Sequence, residues 1–425
     1  MKVKLDYGTE GLEVDLPDEG TTVIEPNYPP GVVSPETTLR EALASPMGSL
    51  PLGDIVTAGQ RVAISVCDGT RPQPRELMLR AVFDALVDTC DDDVTILVAT
   101  GTHRANTGDE LRAMLGDEIV ERYRVVNHDA RDRATLTRVG DTAAGVPVWL
   151  NREWVEADIR ITTGFVEPHF FAGFSGGPKM VAPGLAGLET TMVLHDASHV
   201  AHPKATWGVT EGNPIHDDVR EIARMTGVDF AVDVTLNGEK HITAAFAGEL
   251  FTEHRAACEN SMREAMREVS APFDVVVTTN SGFPLDQNLY QSIKGMSAAA
   301  KVVRDGGVIV CAAECRDGLP DHGAYAELLK RRSSPEKLLE MVHAPGFAEP
   351  DQWQIQVQSQ IQQRARVLVK TSFVSSQALR AAHFEPIDDV SEAARSALRD
   401  AGDGARLCVL PRGPQTIPFV ASTAS

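Results

Sequence analysis

Short apolar runs alternate with amphipathic segments along most of the chain. Residues 61–66 (RVAISV) and 94–100 (VTILVAT) are apolar at most positions, the pattern of strands covered on both faces. Each precedes a segment with helical spacing, over 75–89 and 109–123. A third strand is predicted at 159–164 (IRITTG), running into a long glycine-rich loop. Helical patterns then cover 187–195 and 215–226, followed by a strand at 230–235 and a helix at about 253–268. Beyond Ser270-Ala271-Pro272 the same grammar restarts, with strand 274–279, helix 288–303 and strand 307–312. Further helices are expected near 325–332, 336–342 and 354–366, with strands at 367–370 and 407–410. The alternation predicts an α/β protein of two α/β domains, 1–271 and 272–425, each built on a mostly parallel sheet. The glutamine-rich stretch 352–363 reads as the polar face of a helix.

Composition narrows the possibilities. A length of 425 residues suits two domains, and 43% hydrophobic residues excludes wholesale disorder. With 40 Lys+Arg against 60 Asp+Glu, the net charge of −20 argues against nucleic acid as a partner, since binding it requires phosphate neutralisation. A small anionic substrate stays open, because one local Arg–Lys cluster can override the mean field. No stretch approaches the ~20 apolar residues of a membrane span, and the first residues lack a signal-peptide core. The six cysteines are scattered, and the one close pair, Cys311 and Cys315, fits neither a redox CxxC nor a zinc knuckle. A reducing cytoplasm, without membrane attachment, is expected.

The candidate chemistry gathers where predicted strands end. Asp68-Gly69-Thr70-Arg71 follows the first strand, Thr102-His103-Arg104 the second and Glu167-Pro168-His169 the third. Open α/β sheets bind ligands at the carboxyl ends of their strands, so the three loops suggest one site. The stretch 163–199 is apolar and glycine-rich yet carries His169, Lys179, His195 and His199. Glycines 173, 176 and 177 allow close backbone approach to a ligand, or N–H donation to a phosphate. This is not a Walker A loop, because Pro178 precedes the lysine and Met180 follows it. A lysine in such surroundings is a candidate nucleophile, though a solvated loop lysine reads almost as well. His195 and His199, four apart on a predicted helix, face one side, but a zinc site needs a third ligand. Gln291 and Lys294, three apart on another helix, would suit a carboxylate together with Arg71; an ordinary amphipathic helix start is the plainer reading.

The set DGTRP (68–72), ATGTHR (99–104), NHDA (127–130), TGFVEPHFFAGFSGGPK (163–179), GNPIHDD (212–218) and DQNLYQSIKGM (286–296) closely resembles the nickel-pincer lactate racemase family. The resemblance runs from about residue 61 to Trp353. It implies a two-domain enzyme with an interdomain active-site cleft that inverts C2 of a 2-hydroxy acid by proton-coupled hydride transfer. The implied cofactor is a nickel-bound pyridinium-3-thioamide-5-thiocarboxylic acid mononucleotide, covalently held by Lys179, with Asp68, Ser175, Gly176 and Gly177 beside it. The metal ligand falls on His195, leaving His199 unassigned. The paired acid/base histidines fall on His103 and His169, and the substrate-recognising residues on Arg71, Gln291 and Lys294. The implied partners are a small 2-hydroxy acid and the enzymes that make the cofactor.

Two departures stand out. Gly69 replaces a histidine of the family pattern, and Pro178 replaces a basic residue. They bear more on which acid is bound, from lactate to aromatic and sugar acids, than on the reaction. Two rival readings are a zinc-type hydrolase or lyase using His169, His195 and His199, and a non-catalytic nickel-nucleotide binding protein. The latter would not need two acid/base histidines.

Overall fold

Strand Val62–Cys67 (β1) is buried at every position, and its apolar side chains fall into two clusters on opposite sheet faces. A strand can be apolar on both faces only if both are covered, and the surrounding chain does this. In a computed structural model, which describes residues 1–86, 89–320 and 323–421, β1 sits inside a six-stranded sheet. The others are Val94–Ala99 (β2), Arg124–Asn127 (β3), Ile159–Phe165 (β4), Phe230–Leu236 (β5) and Ile242–Gly248 (β6). Their order is β6-β5-β4-β1-β2-β3, with only the edge strand β6 antiparallel to its neighbour. On one face, Ile64 and Val66 pack with Met78, Leu79 and Val82 of helix Arg75–Ala85 (α1). On the other, Ala63 and Leu97 meet Trp154, Leu185 and Ile222.

The sequence of connections reverses direction between β1 and β4, which makes that edge the topological switch point. Several expected helices change at their ends. The predicted helix over 75–89 stops at Ala85, and its positions 87 and 88 lie outside the described residues. The one over 109–123 breaks at Gly116, whose φ of 86° ends Gly108–Leu115 before Asp117–Arg122 begins. The helix over 187–195 is Leu188–Leu194 (α2), and helix Pro214–Thr226 (α3) follows. Helix Leu250–Ala265 (α4) then leads into strand Met266–Val269.

The second sheet is wholly parallel. It comprises Phe273–Thr279 (β7), Val303–Ala312 (β8), Ala365–Lys370 (β9) and Leu407–Leu410 (β10), with Glu385–Pro386 and Thr21–Val23 as its edges. Chain contacts group residues 1–27, 196–201 and 265–425 into this unit, and 28–195 with 202–264 into the other. The partition therefore differs from the expected 1–271 and 272–425. The first 27 residues join the C-terminal unit because Thr21–Val23 extends its sheet beside β10, and Leu5 and Leu16 enter its core. The expected second domain also includes positions 321, 322 and 422–425, outside the described residues.

Helix Leu289–Ala300 (α5) is capped by Asn288, which accepts the Gln291 N–H. Helix Gln352–Arg364 (α6) corrects the expectation of a polar exposed face, because Gln352, Gln354, Gln356 and Gln358 are buried. Their amides donate to backbone carbonyls inside the unit: Gln354 to Tyr290, Gln356 to Ala197 and Gln358 to Ala382.

Candidate active site

β1 ends at Cys67, and the turn after it is held from inside by a residue that the motif search passed over. Arg75, in the first turn of α1 and nearly buried, donates to the carbonyls of Cys67, Asp68, Arg71 and Gln73. A guanidinium holding four carbonyls makes this loop a fixed platform. An arginine in a Pro-Gln-Pro-Arg helix start was the available signal. Asp68 lies on the platform with its side chain buried. Its Oδ1 accepts from Thr70 Oγ1 at 2.6 Å, and its Oδ2 lies 2.7 Å from His103 Nδ1 in the loop after β2. Burial alone would raise the Asp68 carboxyl, but the hydrogen bond and charge of His103, with Arg71 and Thr70, hold it down at about 2. Facing a carboxylate, Nδ1 carries the proton of neutral His103 and Nε2 keeps a lone pair. Arg71 stands half-buried three residues beyond Asp68, its N–H bonded to the Asp68 carbonyl.

His169 follows β4 in a short antiparallel bridge, Pro168–His169 with Gly173–Phe174. The N–H groups of Ala172 and Phe171 point at its Nδ1, at 3.2 and 3.5 Å. That nitrogen is an acceptor, so the proton of neutral His169 sits on Nε2, the opposite tautomer to His103. The ring packs edge-on against Phe171 with centroids 4.6 Å apart, and Phe171 lies edge-on to His195 at 5.2 Å. Phe171 thus stands between two of the expected site residues.

His195 is the residue at which α2 stops, with φ −111° and ψ 25°. Its Nδ1 donates to the Thr191 carbonyl at 2.8 Å, which fixes the ring and leaves the lone pair on Nε2. His199 does not share its face. A separate short helix, Ala197–Ala201, begins after Asp196, and His199 is tied to the Asp196 carboxylate at 2.9 Å. The one-face argument for a zinc pair therefore fails, because the helix ends between the two histidines. Among the described residues no group of three or more His, Cys, Asp or Glu is placed to hold a metal. A metal on His195 would have to draw its remaining ligands from a bound group. A donor set of one imidazole fits a nucleotide that brings its own sulfur ligands and does not fit a protein-built zinc site.

Lys179 lies half-buried in the tight turn Gly177–Met180. Ser175 ties this turn to the strand end: its Oγ donates to the Phe165 carbonyl and accepts the Glu167 N–H, each at 2.9 Å. Gly176 has φ 71°. The Gly177 N–H donates to buried Asp233 of β5 at 2.7 Å, so it is engaged inside the protein instead of being offered to a phosphate. Asp233 was not foreseen. A lone aspartate within the apolar run FAVDVTL was the signal that could have found it. Gln291 and Lys294, half-buried on α5, belong to the C-terminal unit, one helical turn apart.

Known proteins resemble the chain along most of its length. Residues 7–208 match the lactate racemase N-terminal domain and residues 269–417 the lactate racemase C-terminal domain. The chain belongs to the lactate racemase family. It is 34% identical to the lactate racemase of Thermoanaerobacterium thermosaccharolyticum over 421 residues, covering 98% of each chain. It is 32% identical to that of Lactiplantibacillus plantarum over 418 residues, covering 97% of this chain and 98% of the other. The structure of the T. thermosaccharolyticum lactate racemase apoprotein superposes with a TM-score of 0.92 at 33% identity, covering 99% and 100% of the two chains. A Thermotoga maritima protein at 19% identity, with a TM-score of 0.69 over 91% of this chain and 98% of its own, shares the fold. Family membership makes this chain an isomerase of the racemase type, with the expected α/β architecture. Among the described residues no helix is long and apolar enough to cross a membrane.

Proposed function

We propose that this racemase inverts C2 of a 2-hydroxy acid, lactate or a larger acid, with a nickel-pincer nucleotide attached to Lys179 and its nickel held by His195. The pairing of His103 with Asp68 carries the reading: the carboxylate holds the proton on Nδ1 and leaves a lone pair at Nε2 to take the substrate proton. When bound, the nucleotide supplies a reversible hydride acceptor, which spares the substrate a carbanion beside a carboxylate.

The chain's own residues do the rest. His103 takes the substrate hydroxyl proton at Nε2 as hydrogen leaves Cα, and Asp68 stabilises the imidazolium that results. His169, in its imidazolium form, gives a proton from Nε2 when hydrogen returns to the other face of the 2-oxo acid, and is left neutral. The opposite enantiomer uses the same two rings in exchanged roles. Arg71 holds the carboxylate by its paired N–H donors, and Gln291 and Lys294 supply the remaining donors to carboxylate and hydroxyl oxygens. All six cysteines are free, in keeping with a reducing cytoplasm, and cofactor-making enzymes are the expected partners.

The deciding experiment is a chirality-resolved screen of 2-hydroxy acids, from lactate to aldonates, with protein co-produced with those enzymes. Peptide mass spectrometry of Lys179 accompanies it. Inversion of at least one acid with an adduct on Lys179 is expected; full activity with unmodified Lys179 would overturn the mechanism.

A further inference from the structure

Beneath the turn that bears Lys179 lies a buried polar cluster that the reaction above does not use. Asp233 is 1% exposed, and its Oδ2 accepts the Gly177 N–H at 2.7 Å. The glycines of the 163–179 motif make room for it. A Cβ at Gly164 would lie 2.6 Å from Asp233 Oδ1, and one at Gly176 3.0 Å from Asp233 Oδ2 and 2.7 Å from Val166. A Cβ at Gly177 would overlap the ring of His254 on α4. That ring sits at the Ser175 carbonyl, 2.9 Å from Nε2, so the turn is gripped on both sides of Gly176. These glycines admit protein groups from below, a different task from the ligand approach that their spacing suggested.

Glu253, next to His254, is fully buried, and its carboxyl is paired with that of Asp233. Burial first and the Asp233 charge second push its carboxyl well above the usual range, so it stays protonated. Any negative charge of the pair then sits on Asp233, where the Gly177 N–H meets it. His216 and His254 stack at 5.7 Å, and both are held neutral, chiefly by burial. They therefore place no competing positive charge beside the carboxylate.

We propose that Asp233 is a positioning residue for cofactor attachment, fixing the Gly176–Gly177 turn through the Gly177 N–H so that Lys179 is presented in one orientation. The cofactor half of this rests on the attachment reading for Lys179. The turn half stands on the hydrogen bond alone.

Site-resolved hydrogen exchange of the protein made without cofactor tests the turn. In the wild-type chain the Gly177 amide should be protected. In Asp233→Leu, which keeps the branching at Cγ and removes the acceptor, it should exchange about tenfold faster or more, with β1 and β4 amides unchanged. Asp233→Asn, which keeps an acceptor oxygen, should restore most of the protection. An unprotected Gly177 amide in the wild type overturns the proposal without any variant, should Asp233→Leu fail to fold; equal exchange in wild type and Asp233→Leu overturns it as well. Co-production with the cofactor-making enzymes tests the second half. Adduct occupancy on Lys179, read by peptide mass, should fall about fivefold or more in Asp233→Leu and recover in Asp233→Asn. Equal occupancy in all three refutes the positioning role. A wild-type chain that takes no adduct instead removes the attachment reading and the cofactor half with it, and the exchange measurement still decides the turn.

Discussion

A buried carboxylate fixes the proton of the ring it touches, and Asp68 does this for His103 across 2.7 Å. Asp68→Asn keeps the shape and removes the charge that stabilises an imidazolium. Racemisation by the holoenzyme should fall about a hundredfold or more, mostly in kcat, while the Lys179 adduct is retained. Initial rates by chiral chromatography, with peptide mass, measure both; a variant turning over at the wild-type rate would remove His103 from the base role. Gly69, one residue on, has its own constraint. A Cβ there would lie 2.7 Å from Asn106 Nδ2 and 3.2 Å from Met114 Sδ, so Asn106 occupies the space of the histidine expected there. Gly69→His should destabilise the chain by about 1–3 kcal/mol, and adding Asn106→Ala should recover about 1 kcal/mol or more. Asn106→Ala also removes the hydrogen bond of its amide to Glu110, a loss that the single variant reports, so thermal melts of the two single variants and the double variant isolate the clash. The places of Asp68, His103 and His169 just beyond strand ends were legible, because apolar runs precede them. The tautomers of the two histidines were not, because these depend on which atoms the fold sets against each ring: a carboxylate for His103, two N–H groups for His169.

At the scale of elements, the strand ends were readable and the helix ends were not. An apolar run such as VAISVC announces burial on both faces, and parallel order follows from the helices between runs. Nothing in residues 187–199 marks α2 as ending at Leu194, where the His195 ring bonds back to the Thr191 carbonyl. The glutamines of α6 misled for a related reason. A polar residue reads as solvent-facing unless its hydrogen-bond partners are known, and these come from parts of the chain distant in sequence. Gln358 shows what is at stake: it accepts from Tyr325 OH and donates to Ala382 O, all within the core. Gln358→Leu leaves both groups buried and unpaired, and should destabilise the C-terminal unit by about 2–4 kcal/mol. Gln362→Leu removes a bond to His383 O and a longer one from Gln358 Nε2 at a half-buried position, where water can replace them, and should cost about 1 kcal/mol. Urea unfolding of the two variants provides the comparison, and equal losses would contradict the buried-network account.

For the molecule as a whole, the cluster under Lys179 couples stability to pH in two opposing directions. Burial lowers His254 from 6.5 to about 4, so between those values the unfolded chain binds a proton that the folded chain refuses. That contribution is complete above pH 6.5 and is lost as pH falls toward 4. Asp233 behaves oppositely. Burial raises it from 3.8 to about 7, so the folded chain holds a proton that the unfolded chain releases, and stability from this group is lost as pH rises toward 7. Buried His216 shifts in the same direction as His254, and buried Glu253 in the same direction as Asp233, so each single group shows as a change of slope relative to wild type. Melting of the unit formed by 28–195 and 202–264 should lose more stability with acid in Asp233→Asn than in wild type, because one carboxyl slope is removed. In His254→Gln it should lose less than in wild type over the same range, because one imidazole slope is removed, so the two changes have opposite signs. Calorimetry at intervals between pH 4 and 7, on wild type and both variants made without cofactor, gives both changes. Changes of like sign would mean that the buried carboxyl and the buried imidazole do not hold their protons as their surroundings dictate.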